Sequence, residues 1–357
     1  MSGVFTVARL EFTLRIRAGR WRWMVAAWFL VLLGITALVR SAASQRNLGF
    51  DDVDTRGAVM FGVVVLVVLA LALLVAPALA AQSVNGDRER GTLATLQVTR
   101  LRAGEIALGK LLASWGTALV FLGVTLPLAL WCYAEGGLSV LRIAGVYAVT
   151  ALLLGIVCAI SLALSALLAR STTSGVLAYL TVFALTVGTL IAWGLLTAVT
   201  QDTVRASTQV CENYSGGDEN TPPTGTNCRQ VGYEATVPRP DRTWWLLAPN
   251  PFAVLADSAP AGPVREIRLP DGEVVREPLE VDILGSMSRG LHQMRIERKP
   301  VVTGYGTSYD VPPDAEGGPV WPTGLAVNLL LAAGAVWVTI RRLRTPSDRL
   351  ARGQRIA

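Results

Sequence analysis

Between Gly57 and Ala81 the chain reads GAVMFGVVVLVVLALALLVAPALAA, without a single charge. Five further apolar runs lie near residues 21–39, 106–134, 141–169, 175–199 and 320–340. As helices, runs of this length match the roughly 30 Å hydrocarbon core of a bilayer. In that medium every backbone N–H and C=O needs a partner within the structure, and a lone apolar segment meets that demand only as a helix.

The composition agrees. Apolar residues make up 52% and charged residues 16%, with a mean hydropathy of +0.46; a soluble domain is about a quarter charged. The expected fold class is an all-α polytopic membrane protein. It has six transmembrane helices, an N-terminal interfacial helix and an extracellular α+β insertion between helices 5 and 6. The divisions are an amphipathic helix at 1–20, helices 1–5 at 21–199 and an outer segment at 200–318. The sixth helix at 319–340 and a basic tail at 341–357 complete the chain. Arginines gather beside the spans, and six stand in the tail RRLRTPSDRLARGQRIA. The positive-inside rule then puts both termini in the cytoplasm of a multi-pass cell-membrane protein. The net charge of +6 reads as membrane anchoring, not as a nucleic-acid surface. In the leader, Glu11 and Arg15 stand four apart in the favourable helical order, and the basic, amphipathic pattern places it on the membrane surface.

The second and third spans are separated by Asn85 to Lys110, NGDRERGTLATLQVTRLRAGEIALGK. Arg88, Glu89 and Arg90 belong in water, because charge in hydrocarbon is costly. Thr92, Leu93, Leu96 and Val98 give the stretch an apolar side. It reads as a short helix across the cytoplasmic membrane face, offered to something in the cytoplasm. A second short cytoplasmic turn, Arg170 to Ser174, carries hydroxyls suited to cap the helix after it.

The string Asp87-Arg88-Glu89-Arg90-Gly91-Thr92-Leu93, followed by Gly104-Glu105 and Gly109-Lys110-Leu111, resembles the signature of type-2 ABC transporter permeases. It departs at Ala94, where that family usually has an acid, and at Arg100, where proline often stands. The resemblance implies a membrane subunit of an ABC exporter, coupled through a loop at 85–105 to separate ATP-binding subunits and paired with a second permease. ATP and Mg would bind on the partner subunit; no cofactor is expected in this chain. Asp87, Arg88, Glu89, Arg90, Leu93, Leu96 and Glu105 fall in the coupling loop. Glu89 and Arg90 would meet the ATPase, Gly91-Thr92 would form the sharp entry to the helix, and Arg170 would make a secondary contact.

Other chemistry finds little support. Gly104 to Lys110 fits Gly-x-x-x-x-Gly-Lys, yet Leu111 replaces the Ser/Thr of a P-loop and the string opens an apolar span. One histidine, His292, and four scattered cysteines form no metal-ligand spacing, and no catalytic set is visible, so the chain is not expected to be an enzyme. Asp51, Asp52 and Asp54, flanked by Arg46 and Arg56, read as a solvated loop tip. The spans hold hardly any ionisable residues, which disfavours an ion-coupled carrier and favours a hydrophobic or amphiphilic cargo.

The outer segment has features of its own. Cys211 and Cys228 share an oxidising compartment on this topology, and a disulfide there would contribute about 3 kcal/mol. Cys132 and Cys158 read as small core residues of spans. Trp244 to Ala256 is apolar but too short to cross, and reads as interfacial or re-entrant. Residues 264–277 predict a β-hairpin around Pro270-Asp271-Gly272. A short amphipathic helix is expected between Leu279 and Met294, with His292 at its surface. The alternative function is a membrane-anchored receptor or assembly protein, with a ligand-binding ectodomain at 200–318.

Overall fold

The computed structural model describes residues 2–17, 20–43, 53–89, 91, 102–212, 226–260, 264–268, 274–278, 282–296, 299–303, 306–310 and 317–344. Among the described residues, six helical segments are long and apolar enough to cross a membrane. The first is α2 (Arg20–Ala43), preceded by α1 (Ser2–Arg17). The second is α3 (Val53–Ala80), which leads through a turn into the short α4 (Asn85–Glu89). The third is split into α5 (Ala103–Gly123) and α6 (Leu126–Ala134). Pro127 lies in the first turn of α6, where its missing N–H costs nothing. The expected single third span is thus two helices in succession. The fourth is α7 (Val140–Leu167). The fifth runs as α8 (Ser171–Phe183), a π turn at Ala184–Gly188, and α9 (Thr189–Val199). The sixth is α12 (Trp321–Leu343).

The central helix is α3. Met60, Phe61, Val64, Val68, Leu69 and Leu73 are buried along it, against Phe121 of α5, Leu128 of α6 and Leu154 of α7. Trp28 of α2 donates its indole N–H to Phe121 O at 3.2 Å and sets its ring edge-on to that phenyl, 5.3 Å between centroids. The peripheral helices turn apolar side chains outward, among them Leu30, Leu190, Ile191, Leu195 and Leu330. Such a surface suits hydrocarbon, where outward apolar groups carry no cost.

Helix α1 packs lengthwise on α5. A Cβ on Gly109 would come within 2.6 Å of the Val7 side chain, Gly116 faces Phe12, and Arg15 Nη1 donates to Thr117 Oγ1 at 3.3 Å. The expected Glu11–Arg15 pair forms at 4.0 Å. The leader thus lies against the bundle, where two of its four charges, Glu11 and Arg15, find partners.

Among the described residues between the fifth and sixth spans are three two-stranded antiparallel hairpins and two α-helices. The hairpin β1 (Gln201–Glu212) with β2 (Thr226–Pro238) sets Cys211 opposite Cys228. Two 3-10 turns follow, then α10 (Pro251–Ser258). The hairpin β3 (Val264–Arg268) with β4 (Val274–Pro278) is the expected one. The expected amphipathic helix is α11 (Ile283–Met294). The hairpin β5 (Lys299–Thr303) with β6 (Gly306–Asp310) completes the set.

The stretch read as interfacial or re-entrant is a wedge between the last two spans. Leu247, Ala248 and Val254 to Ala256 are buried. Asn250 caps α10 through Phe252 N at 2.9 Å and donates to Thr186 O at 2.7 Å, inside the π turn. Asn328 of α12 donates to Pro249 O at 2.9 Å. Only glycine fits at 324, since a Cβ there would lie 1.8 Å from Ala248 O.

The far ends of α2 and α6 are tied by charge. Glu135 Oε1 accepts from Arg40 Nε at 2.6 Å and from Trp131 Nε1 at 3.1 Å. The Arg40 hydrogen bond holds the Glu135 carboxyl below the usual carboxylate range. A carboxyl lowered in the folded state stabilises above its unfolded pKa, and that contribution is lost as pH falls through the folded value. Thermal midpoints of the parent and Glu135→Gln are therefore expected to differ at neutral pH and to merge in acid.

Candidate functional site

The end of the bundle holding α4, called the loop end below, gathers most of the polar contacts between helices. After Ala80 the chain turns under α7 and α8. Ser165 Oγ of α7 accepts from Val84 N and Asn85 N, both at 3.2 Å. Ser174 Oγ of α8 donates to Ala81 O at 2.7 Å. Val84 packs with Ile106, Leu162, Ala166 and Leu343, so the sixth span also ends here. Asn85, Gly86 and Asp87 are buried. The charged stretch was expected in water from its first residue; instead it starts inside the protein and emerges at Glu89, which is exposed.

Two charges of the loop finish neighbouring helices. Arg88 donates to Ala166 O at 3.3 Å and Leu168 O at 3.1 Å, and to its neighbour Asn85 Oδ1 at 3.2 Å. These carbonyls close α7, where a cation also suits the negative end of the helix dipole. Glu89 Oε1 accepts from Ser171 N at 3.2 Å and Ser171 Oγ at 2.5 Å, placing an anion on the positive end of α8. The cap of α8 thus comes from across the fold. The hydroxyls of 171–174 were expected to supply it, but Ser174 Oγ is turned back to backbone carbonyls.

Arg170, the residue before α8, is exposed beside Glu89's partner Ser171. Gly91 has φ +70° and donates its N–H to Arg88 O at 3.1 Å. This left-handed turn is open to glycine and strained for other residues. Glu105 sits in the first turn of α5 and accepts from Arg102 N at 2.8 Å, so its carboxylate closes that helix. Arg90, Thr92, Leu93 and Leu96 lie outside the described residues, as does the expected helix over Thr92–Val98.

The residue whose role sequence reasoning missed is Lys110. Its side chain is fully buried. Nζ donates to Glu11 Oε1 at 2.5 Å, to Ser83 O at 3.0 Å and to the Asp87 carboxylate. Arg15, next to Glu11, donates to Leu79 O at 3.1 Å. The last carbonyls of the second span therefore face two cations, and two carboxylates balance them. Asp87, expected at the loop's surface, is turned inward by this pairing. The signal that would have found Lys110 was in view: a lysine one turn inside an apolar span demands a partner.

These contacts join α1, α3, α5, α7 and α8 through one short turn. No group of three or more His, Cys, Asp or Glu suited to a metal occurs among the described residues.

Among curated proteins, none matches the chain. The family model for the ABC-2 family transporter protein matches residues 5–215, from α1 through the first strand of the insertion. That match covers well over half of the chain, takes in the whole loop-end joint except the end of α12, and accords with the six membrane-crossing helices. The chain belongs to the ABC-2 family of transporter proteins, as a membrane component of transport.

Proposed function

We propose that the chain is the permease subunit of an ATP-driven exporter, coupled through residues 85–105 and the turn at Arg170 to a separate ATP-binding subunit. The observation that carries this reading is the loop-end joint. Glu89, Gly91, Arg102 and Arg170 are exposed there, and immediately behind them Arg88, Glu89 and Lys110 are bonded into the helices. A partner that pushes on this surface moves the span ends with it. Asp87 and Glu105 act behind the contact, as supports. The working complex holds two permeases and two ATPases, with ATP and Mg on the latter.

On this reading the loop end faces the cytoplasm with both termini, and residues 200–318 lie outside. The cross-strand register of Cys211 and Cys228 supports a disulfide between them. Charges buried in the spans are neutralised, Lys110 by carboxylates and Arg142 by Asp282, and the outer faces are apolar. Both support a hydrophobic or amphiphilic cargo. The folded insertion supports a second reading, a receptor or assembly protein that binds a ligand at 200–318.

The test is mild detergent extraction of the tagged chain, with mass spectrometry of what co-purifies. A stoichiometric P-loop protein is the expected result, and a second permease would appear in the same spectrum. A chain that emerges alone and stable from several detergents would overturn the exporter reading in favour of the receptor.

A further inference from the structure

Docking on the bundle sorts the charges of α1. Its inward face carries Val7, which is buried against Gly109 of α5. Glu11 and Arg15 are turned the same way, to Lys110, Leu79 O and Thr117. Glu11 is the single acid of the helix. The two charges that remain, Arg9 and Arg17, are both cations and both exposed. Around them stand Phe5, Leu10, Leu14 and Ile16, which are 72%, 52%, 63% and 43% exposed.

Neither bulk water nor hydrocarbon suits this outward face. Four large apolar side chains in water forgo the gain from burial, and two guanidinium groups in hydrocarbon are costly. The headgroup layer of a bilayer suits both kinds of group. Apolar side chains reach the acyl chains there, and the long arginine stems carry their charge to the phosphates. The place of α1 in the fold agrees. The first membrane-crossing helix, α2, begins at Arg20, three residues after α1 ends. Its first turn carries Trp23, 80% exposed, an aromatic residue of the kind found at membrane boundaries. Arg22 beside it is a further exposed cation. The outward face of α1 is therefore held near the level where the chain enters the bilayer.

Charge then selects the lipid. A zwitterionic headgroup carries its own cation next to the phosphate, whereas an anionic phospholipid leaves the phosphate free for arginine. We propose that the outward face of α1 is a binding surface for anionic phospholipid of the leaflet at the loop end, with Arg9 and Arg17 on the headgroups and Phe5, Leu10, Leu14 and Ile16 among the acyl chains. Lipid holds α1 from outside while Lys110 holds it from within. The charge of the membrane thereby bears on the turn at Ser83 to Asp87, through Glu11 and Lys110. This binding requires neither an ATPase nor a cargo.

The test uses the purified full-length chain in vesicles holding equal amounts of phosphatidylglycerol and phosphatidylcholine. In one preparation the first lipid bears a diazirine on its acyl chain, in the other the second, and peptide mass spectrometry maps the crosslinks. The ratio on α1 is read relative to that at Leu330 of α12, which is 73% exposed in the middle of a span. Phosphatidylglycerol is expected to exceed phosphatidylcholine on α1 by roughly tenfold, the scale of two cations at an anionic surface. Arg9→Gln with Arg17→Gln should bring the ratio down to that at Leu330, and Arg9→Lys with Arg17→Lys should keep it high. Equal crosslinking of α1 by the two lipids in the parent would overturn the proposal. So would the absence of crosslinks from either, the outcome if water or another protein covers this face. An excess that survives the glutamines, or one that the lysines abolish, would overturn it as well.

Discussion

Lys110→Met is expected to be the most damaging single substitution at the loop end. It removes the cation that Glu11, Asp87 and Ser83 O share. Both carboxylates are largely shielded from water, so the methionine would leave two anions facing each other and the end of α3. Breaking a buried pair by removing one partner costs about 3–5 kcal/mol. The thermal midpoint of the extracted protein should fall sharply, and α1 should become open to proteolysis. The combination Lys110→Met with Asp87→Asn should recover most of that loss, because Glu11 still pairs with Arg15 and no charge is left stranded. A midpoint unchanged by Lys110→Met would show that the cluster holds nothing together.

Glu89→Lys is expected to have the largest effect on activity. The side chain is exposed, and its contacts in the fold include the two from Ser171 at the start of α8. Losing a helix cap costs about 1 kcal/mol, so the protein should still assemble. The reversed charge would then meet the ATPase surface, and ATP turnover should continue without transport. Glu89→Gln separates the two roles, since its amide oxygen still accepts from Ser171 while the charge is gone. Normal transport by the lysine variant would remove Glu89 from the coupling contact.

Part of this architecture is legible in the sequence and part is not. The six spans are, because a long apolar run has one stable form in a bilayer. The pairing of β3 with β4 is, because the two strands lie close together in the chain. So is the Glu11–Arg15 pair, four residues apart. The loop-end contacts are not. Lys110 and Glu11 lie far apart in the chain, as do Glu89 and Ser171, and each is matched only when five helices converge. Nothing local marks Ser165, and Ser174 reads in the sequence as part of a cap for the next helix, yet both fasten the turn at 81–85. The hairpin of β1 and β2 was missed because its strands are polar and carry little alternation. Charge at positions 87 to 89 was visible, but whether each side chain faced out or in depended on neighbours that no local pattern reveals.

The wedge at 247–256 has a consequence for how the molecule is made. The surface against which α12 docks does not exist when the fifth span enters the membrane. Gly324 seats against Ala248 O, and Asp257 supplies the N-terminal cap that α12 lacks in its own sequence. The last span therefore waits on the folding of the segment before it. A ribosome that stops before residue 320 would leave the wedge without α12, with Ala248, Pro249 O and one oxygen of Asp257 uncovered. Such a fragment would bear an unmistakable mark of incompleteness, and quality control could act on it before a partner ATPase arrives.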